Sequence, residues 1–103
     1  MKRVEFLGDS LAEIRRFPEA ARKEAGVQLH KVQLGLDPSD WKSISAVGVG
    51  VREIRIRDEA GAFRILYVAN RGDALFVLHA FQKKTQQTAK RDLDIAISRL
   101  RQI

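Results

Sequence analysis

Five basic side chains stand at places where an extended chain would present them together. In VREIRIR, residues 51 to 57, period-two alternation puts Arg52, Ile54 and Ile56 on one face and Glu53, Arg55 and Arg57 on the other. Helices are expected to cover the isoleucine face. That leaves the guanidinium groups of Arg55 and Arg57 free to take phosphate oxygens; the plainer alternative is a solvated strand face that Glu53 partly neutralises. Arg64 is the single charge in the apolar run AFRILYVAN, so it lies near an edge, pairs across a hairpin with Glu53 or Asp58, or has a task. Lys83 and Lys84 lie just beyond His79 and Phe81, where a strand stops.

Such a set suits phosphoryl transfer on RNA. A 2′-hydroxyl can attack the neighbouring phosphate if one group accepts its proton, cations stabilise the pentacovalent oxyanion, and a proton reaches the departing 5′-oxygen. Lysine and arginine supply the charge. The base and acid would be His79, Tyr67 or a lysine with a lowered pKa, each of which has a structural alternative: a satisfied core histidine, a core phenol ring, a solvated ammonium. Other chemistries lack their residues. His30 and His79 have no carboxylate cluster around them for a metal, no Ser, His and Asp set stands out, and VGVGV has neither the GxGxxG spacing nor a Walker lysine. No cofactor is expected.

The elements that must position these groups follow from periodicity. RVEFL, residues 3 to 7, reads as a short strand, and Ser10 with Glu13 has capping-box spacing before Leu11, Ile14 and Phe17. Pro18 opens a second helix, whose apolar face is Ala21, Ala25, Leu29, Val32 and Leu36, with Gly35 as terminator. Residues 36 to 45, with Asp37-Pro38-Ser39-Asp40 and Trp41, read as a connecting loop. Residues 47 to 58, 62 to 70 and 74 to 81 read as three strands of an antiparallel meander. In the last of them Leu75, Val77, His79 and Phe81 are expected on one face and Phe76, Leu78 and Ala80 on the other. Ala89, Leu93, Ala96, Ile97 and Leu100 then form one face of a closing helix. The expected fold is a single α+β domain over residues 1 to 103, in the order β-α-α-β-β-β-α.

Composition points to the same partner. Nineteen Lys and Arg against thirteen Asp and Glu give the 103-residue chain a net charge of +6, which favours a polyanion, nucleic acid first, if the excess is concentrated on one face. The absence of cysteine fits a reducing compartment. No apolar run approaches the roughly 18 residues of a membrane span, and MKRVEFLGDS lacks a signal-peptide core. The expectation is a soluble cytoplasmic protein with no membrane partner.

Three stretches carry a family resemblance: GVQLHKVQLGLDPSDWK, VGVREIRIRDEAGAFRILYVA, and LHAFQKKTQQT followed by a helix. Together they resemble the phage-derived HigB-like toxins of the RelE superfamily, with REIR, the Gly-x-Phe-Arg of residues 61 to 64 and FQKKT the most specific parts. The resemblance implies a RelE-like fold, a curved antiparallel sheet with two N-terminal helices packed on it and a C-terminal helix. It also implies mRNA cleavage in the ribosomal A site, restrained by a small helix-turn-helix antitoxin of the HigA kind. By position it places Arg55 and Arg57 on the family's basic strand, Arg64 at the phosphate-neutralising arginine, and Lys83 and Lys84 in the basic C-terminal segment, with Tyr67 and His79 matching less closely. Phe63 stands where a tyrosine is common, and Gln87-Thr88-Ala89 where Lys-Thr-Pro often occurs. A non-enzymatic nucleic-acid binder and a gyrase-targeting ParE-type toxin on the same fold are the other two classes open.

Overall fold

The computed structural model describes residues 1–103. Its elements are β1 (Arg3–Phe6), α1 (Ser10–Arg15), α2 (Glu19–Gln33), β2 (Trp41–Ser43), β3 (Val51–Asp58), β4 (Gly61–Arg71), β5 (Ala74–Lys83) and α3 (Lys90–Leu100). One five-stranded sheet runs in the order β1-β5-β4-β3-β2. The α+β class and the meander of β3, β4 and β5 match the expectation, and the curved sheet with three helices is consistent with a RelE-like fold.

Two features of the sheet differ from that expectation. β1 pairs parallel to β5, from Arg3 opposite Ala74 to Phe6 opposite Val77, so the sheet is mixed rather than wholly antiparallel. Period-two alternation marks a strand without giving its neighbour's direction, and here the crossover through α1 and α2 brings β1 back beside the last strand. β2 lies inside the segment read as a loop: Trp41, Lys42 and Ser43 pair with Ile54, Glu53 and Arg52. A three-residue edge strand is too short to show alternation.

The helix ends also depart in part. Ser10 is the first residue of α1 and makes no capping box; its hydroxyl donates to the Val77 carbonyl at 3.3 Å, while Glu13 pairs with Arg16. Gly35 ends α2 as expected, with φ of 83°. Leu36, beyond it, is exposed instead of completing the apolar face.

Two apolar layers hold the sheet between them. Ala21, Ala25, Leu29 and Val32 of α2 close over Ile54, Ile56, Phe63, Ile65 and Tyr67, and Phe17 meets Phe63 at a ring separation of 4.8 Å. On the opposite face Leu93, Ala96, Ile97 and Leu100 of α3 pack on Val51, Leu66, Val68 and Leu78.

A bulge in β5 decides which side chains reach that second face. Leu66 pairs with His79 but Tyr67 pairs with Val77, so Leu78 is an extra residue. One inserted residue inverts the alternation beyond it. Leu75 and Val77 therefore join the α2 layer, whereas Leu78, His79 and Phe81 face the α3 side, and the single expected face is split in two. The Leu78 carbonyl takes a hydrogen bond from Arg99 of α3 at 3.0 Å, and Arg99 is anchored by Asp9 at 2.7 Å.

Candidate active site

Cross-strand pairing fixes the basic surface row by row. Arg55 stands directly opposite Arg64, which stands opposite Phe81; in the next row Arg57, Ala62 and Lys83 are aligned. Directly opposed residues share a face, so Arg55, Arg57, Arg64 and Lys83 all lie on the face that α3 covers only in part. Lys84 follows at the strand's end and is exposed. These five are the cations that the sequence marks out. The row on the other side of Arg55 and Arg64 adds Lys42, opposite Glu53, as a further cation on this face.

The cations differ in exposure and therefore in what they can do. Arg57 is exposed; Arg55 is half-buried and donates through Nε to Asp40 at 3.1 Å. Arg64 is only 4% exposed. Its Nε lies 3.6 Å from Oε1 of the fully buried Glu53, an ion pair too long for a hydrogen bond, and both atoms lack any other partner. The cross-hairpin pairing with Glu53 is thus the arrangement formed, and Arg64 is not the free surface charge that a purely electrostatic clamp would have. Desolvation lowers the Arg64 pKa from its ordinary value; Glu53 opposes that shift and Arg55 and Arg57 add to it. Lys83 is lowered too, by partial burial first and then by the charge of Arg64.

His79 lies on the same face, one row further in, and is buried beside α3. Its Nε2 donates to Asp92 Oδ1 at 2.7 Å, its ring stacks on Phe81 with centroids 5.1 Å apart, and Nδ1 has no partner. Tyr67 is not brought to this surface. As an odd-numbered neighbour of Ile65 on β4 it points into the α2 layer, opposite Arg52, and burial pushes its phenol pKa up. No group of three or more metal-binding side chains occurs.

Three further residues, Glu53, Thr88 and Asp92, hold this region together. Glu53 reads in sequence as a solvated counter-charge or as one of two possible partners of Arg64; it is the buried centre that holds Arg64, and it also accepts from the Thr88 hydroxyl at 3.2 Å. Thr88 thereby ties the segment after Lys84 to the sheet. Asp92, on the first turn of α3, fixes His79. Each contact joins residues at least 11 apart in the chain. Only Glu53 had a sequence cue, its place on the same alternating face as Arg55.

The model of a protein family described as "Phage derived protein Gp49-like (DUF891)" matches residues 12–101, a span that contains every residue of the basic surface and all elements except β1 and the start of α1. No curated protein matches the chain. With the family match spanning both helical layers and four of the five strands, the protein belongs to the Gp49-like family of phage-derived proteins.

Proposed function

We propose that the protein is the toxin of a type II toxin-antitoxin system and acts as a ribosome-dependent mRNA endoribonuclease that blocks translation. The observation that carries this reading is the gathering of Arg55, Arg57, Arg64 and Lys83 on one face, with Lys42 and Lys84 at its margins. Membership in the Gp49-like family, which is associated with toxins of the RelE/HigB type, supports it.

The residues divide by exposure. Arg57 and Lys84, which are exposed, and Arg55, held in place by Asp40, bind the RNA backbone on either side of the cut. Arg64, held by Glu53, and Lys83 flank the scissile phosphate and stabilise the charge that grows on it. Lys83, whose pKa is lowered by partial burial and the charge of Arg64, takes the proton of the 2′-hydroxyl. The 2′-oxygen bonds to phosphorus, the bond to the 5′-oxygen breaks, and that oxygen takes a proton from Lys42 or Lys84. The products are a 2′,3′-cyclic phosphate and a 5′-hydroxyl. His79, buried against Asp92, positions Phe81 and the site floor.

So sparse an acid-base set is sufficient if the ribosome orients the message, since orientation is worth about 7 to 11 kcal/mol in favourable cases. The partners are then mRNA, the ribosome and a helix-turn-helix antitoxin of the HigA kind.

Induced expression should arrest growth and fragment translated messages. The measurement is transcript integrity after induction, with and without an antibiotic that blocks translation initiation. Cleavage that continues unchanged under the block removes ribosome dependence. Intact messages in arrested cells remove the nuclease itself.

A further inference from the structure

The face of the sheet opposite the basic surface holds a cavity of about 350 Å³ between the end of α2, β3 and β4. Tyr67, 1% exposed, lines it beside the Arg52 guanidinium, a group that can only donate, so the phenol proton has no acceptor. Leaving a buried hydroxyl unpaired is costly, so a site is poised there for an incoming acceptor. Lys2 and Arg52 bring positive charge to the same walls, and Asp37, 2.9 Å from Arg52, offsets one of the two. Gly50 forms part of the rim with φ of 81°, and a Cβ there would overlap the Asn70 side chain. The Asn70 amide fills the space that a side chain at Gly50 would take, and it closes the wall there.

The rim is apolar and exposed. Leu36 lines the cavity, Leu34 and Met1 line a neighbouring cleft that shares Lys2 and Gly35 with it, and Val49 precedes Gly50. Three of the five large apolar side chains exposed on this protein line these two adjoining clefts. Exposed apolar side chains scattered singly need no explanation, but a cluster rimmed by polar groups marks an interaction surface.

We propose that this surface docks an extended segment of a partner protein, which inserts one carboxylate side chain into the cavity and lays apolar side chains over Leu34 and Leu36. The carboxylate accepts from the Tyr67 hydroxyl and meets the net positive charge that Lys2 and Arg52 keep beside Asp37. The apolar strip beyond the cavity is what a peptide uses and a small carboxylate cannot reach. The inference stands apart from the RNA chemistry, because it concerns the other face of the sheet.

The test is an amide-resolved NMR titration of the full chain with acetyl-Leu-Glu-Leu amide, run beside acetyl-Leu-Gln-Leu amide and free isovalerate. The acidic peptide should move the amides of Leu36, Gly50, Arg52 and Ala69, and loss of the charged acceptor should weaken binding about tenfold. Tyr67→Phe should weaken it about fivefold, as expected for one hydrogen bond. Leu36→Ser, on the exposed rim, gives the same reading should the phenol variant fail to fold. Equal binding of the two peptides, shifts confined to Arg57, Lys83 and Lys84, or no shift up to the solubility limit overturns the proposal. Isovalerate binding as tightly as the acidic peptide also overturns it, in favour of a small-carboxylate pocket.

Discussion

Arg64 and Tyr67 lie three residues apart on β4, yet they serve opposite faces of the sheet, and the two faces are closed by different physics. On the α2 side closure over the sheet is mainly apolar, with Ala21, Ala25 and Leu29 over Ile54, Ile65 and Val77, while Gln28 is tied to Ser39 and Ser10 to the Val77 carbonyl. On the α3 side an apolar patch is supplemented by polar ties, namely His79 with Asp92, Thr88 with Glu53, and Arg99 with Asp9 and the Leu78 carbonyl. Apolar burial is non-directional and tolerates wide variation, whereas hydrogen bonds and ion pairs fix positions. The face that must hold charged groups in register is the one built with directional contacts.

The comparison breaks first at Arg64. Arg64→Ala leaves Glu53 buried without its counter-charge, and removing one partner of a buried pair costs about 3 kcal/mol or more. Denaturant unfolding should show that loss, with toxicity gone. Replacing both partners, Arg64→Met with Glu53→Leu, should recover most of the stability without restoring toxicity. A toxic double variant would reduce the pair to a structural one.

Lys83→Ala combined with Lys84→Ala tests the open part of the same face. Activity should fall roughly a hundredfold or more, as for loss of a donor to transition-state charge. Stability should change within about 0.5 kcal/mol, because neither lysine is buried. Full toxicity in this variant would move the centre away from the end of β5.

Gly8→Ala probes the latch on α3. Gly8 has φ of 53°, and a Cβ there would overlap the Arg99 guanidinium. The strained backbone alone costs about 1 to 2 kcal/mol, and faster hydrogen exchange should appear in α3 and at the β5 bulge while α2 stays protected. Uniform acceleration across both faces would mean that the two layers open together.

The smallest effect is the pH dependence of that latch. The hydrogen bond from Arg99 holds the Asp9 carboxyl below its usual pKa. A depressed acid stabilises the fold above its unfolded pKa of about 3.9, and that contribution disappears as the pH falls through the folded value. Asp9 is more than half exposed, so the contribution is under about 1 kcal/mol. Arg99→Gln should flatten the acid limb of a melting-temperature profile; an unchanged limb would show that other carboxylates set it.

Much of this molecule is legible without a structure. The strands β3 to β5, the apolar face of α2 and the closing helix follow from periods of two and 3.6 residues, and the cations of the basic surface follow from alternation within each strand. Alternation misleads where it is interrupted. At Leu78 one extra residue carried His79 and Phe81 away from Leu75 and Val77, and no composition cue marks a bulge inside ALFVLHAF. Nor does period two give sheet order, so the parallel pairing of β1 and the edge strand at Trp41 were invisible.

The sequence by itself determined the charge, the local periods and therefore which side chains share a face within one strand. Tertiary structure alone decided what those faces meet. Glu53 reads as a surface acid or as one of two possible partners of Arg64 until β4 brings Arg64 beside it and the segment before α3 brings Thr88; Tyr67 reads as a candidate base or acid until it is found in the α2 layer beside the cavity. The reason is range: backbone stereochemistry acts over a few residues and repeats along the chain, while desolvation and pairing depend on contacts between segments that only folding brings together.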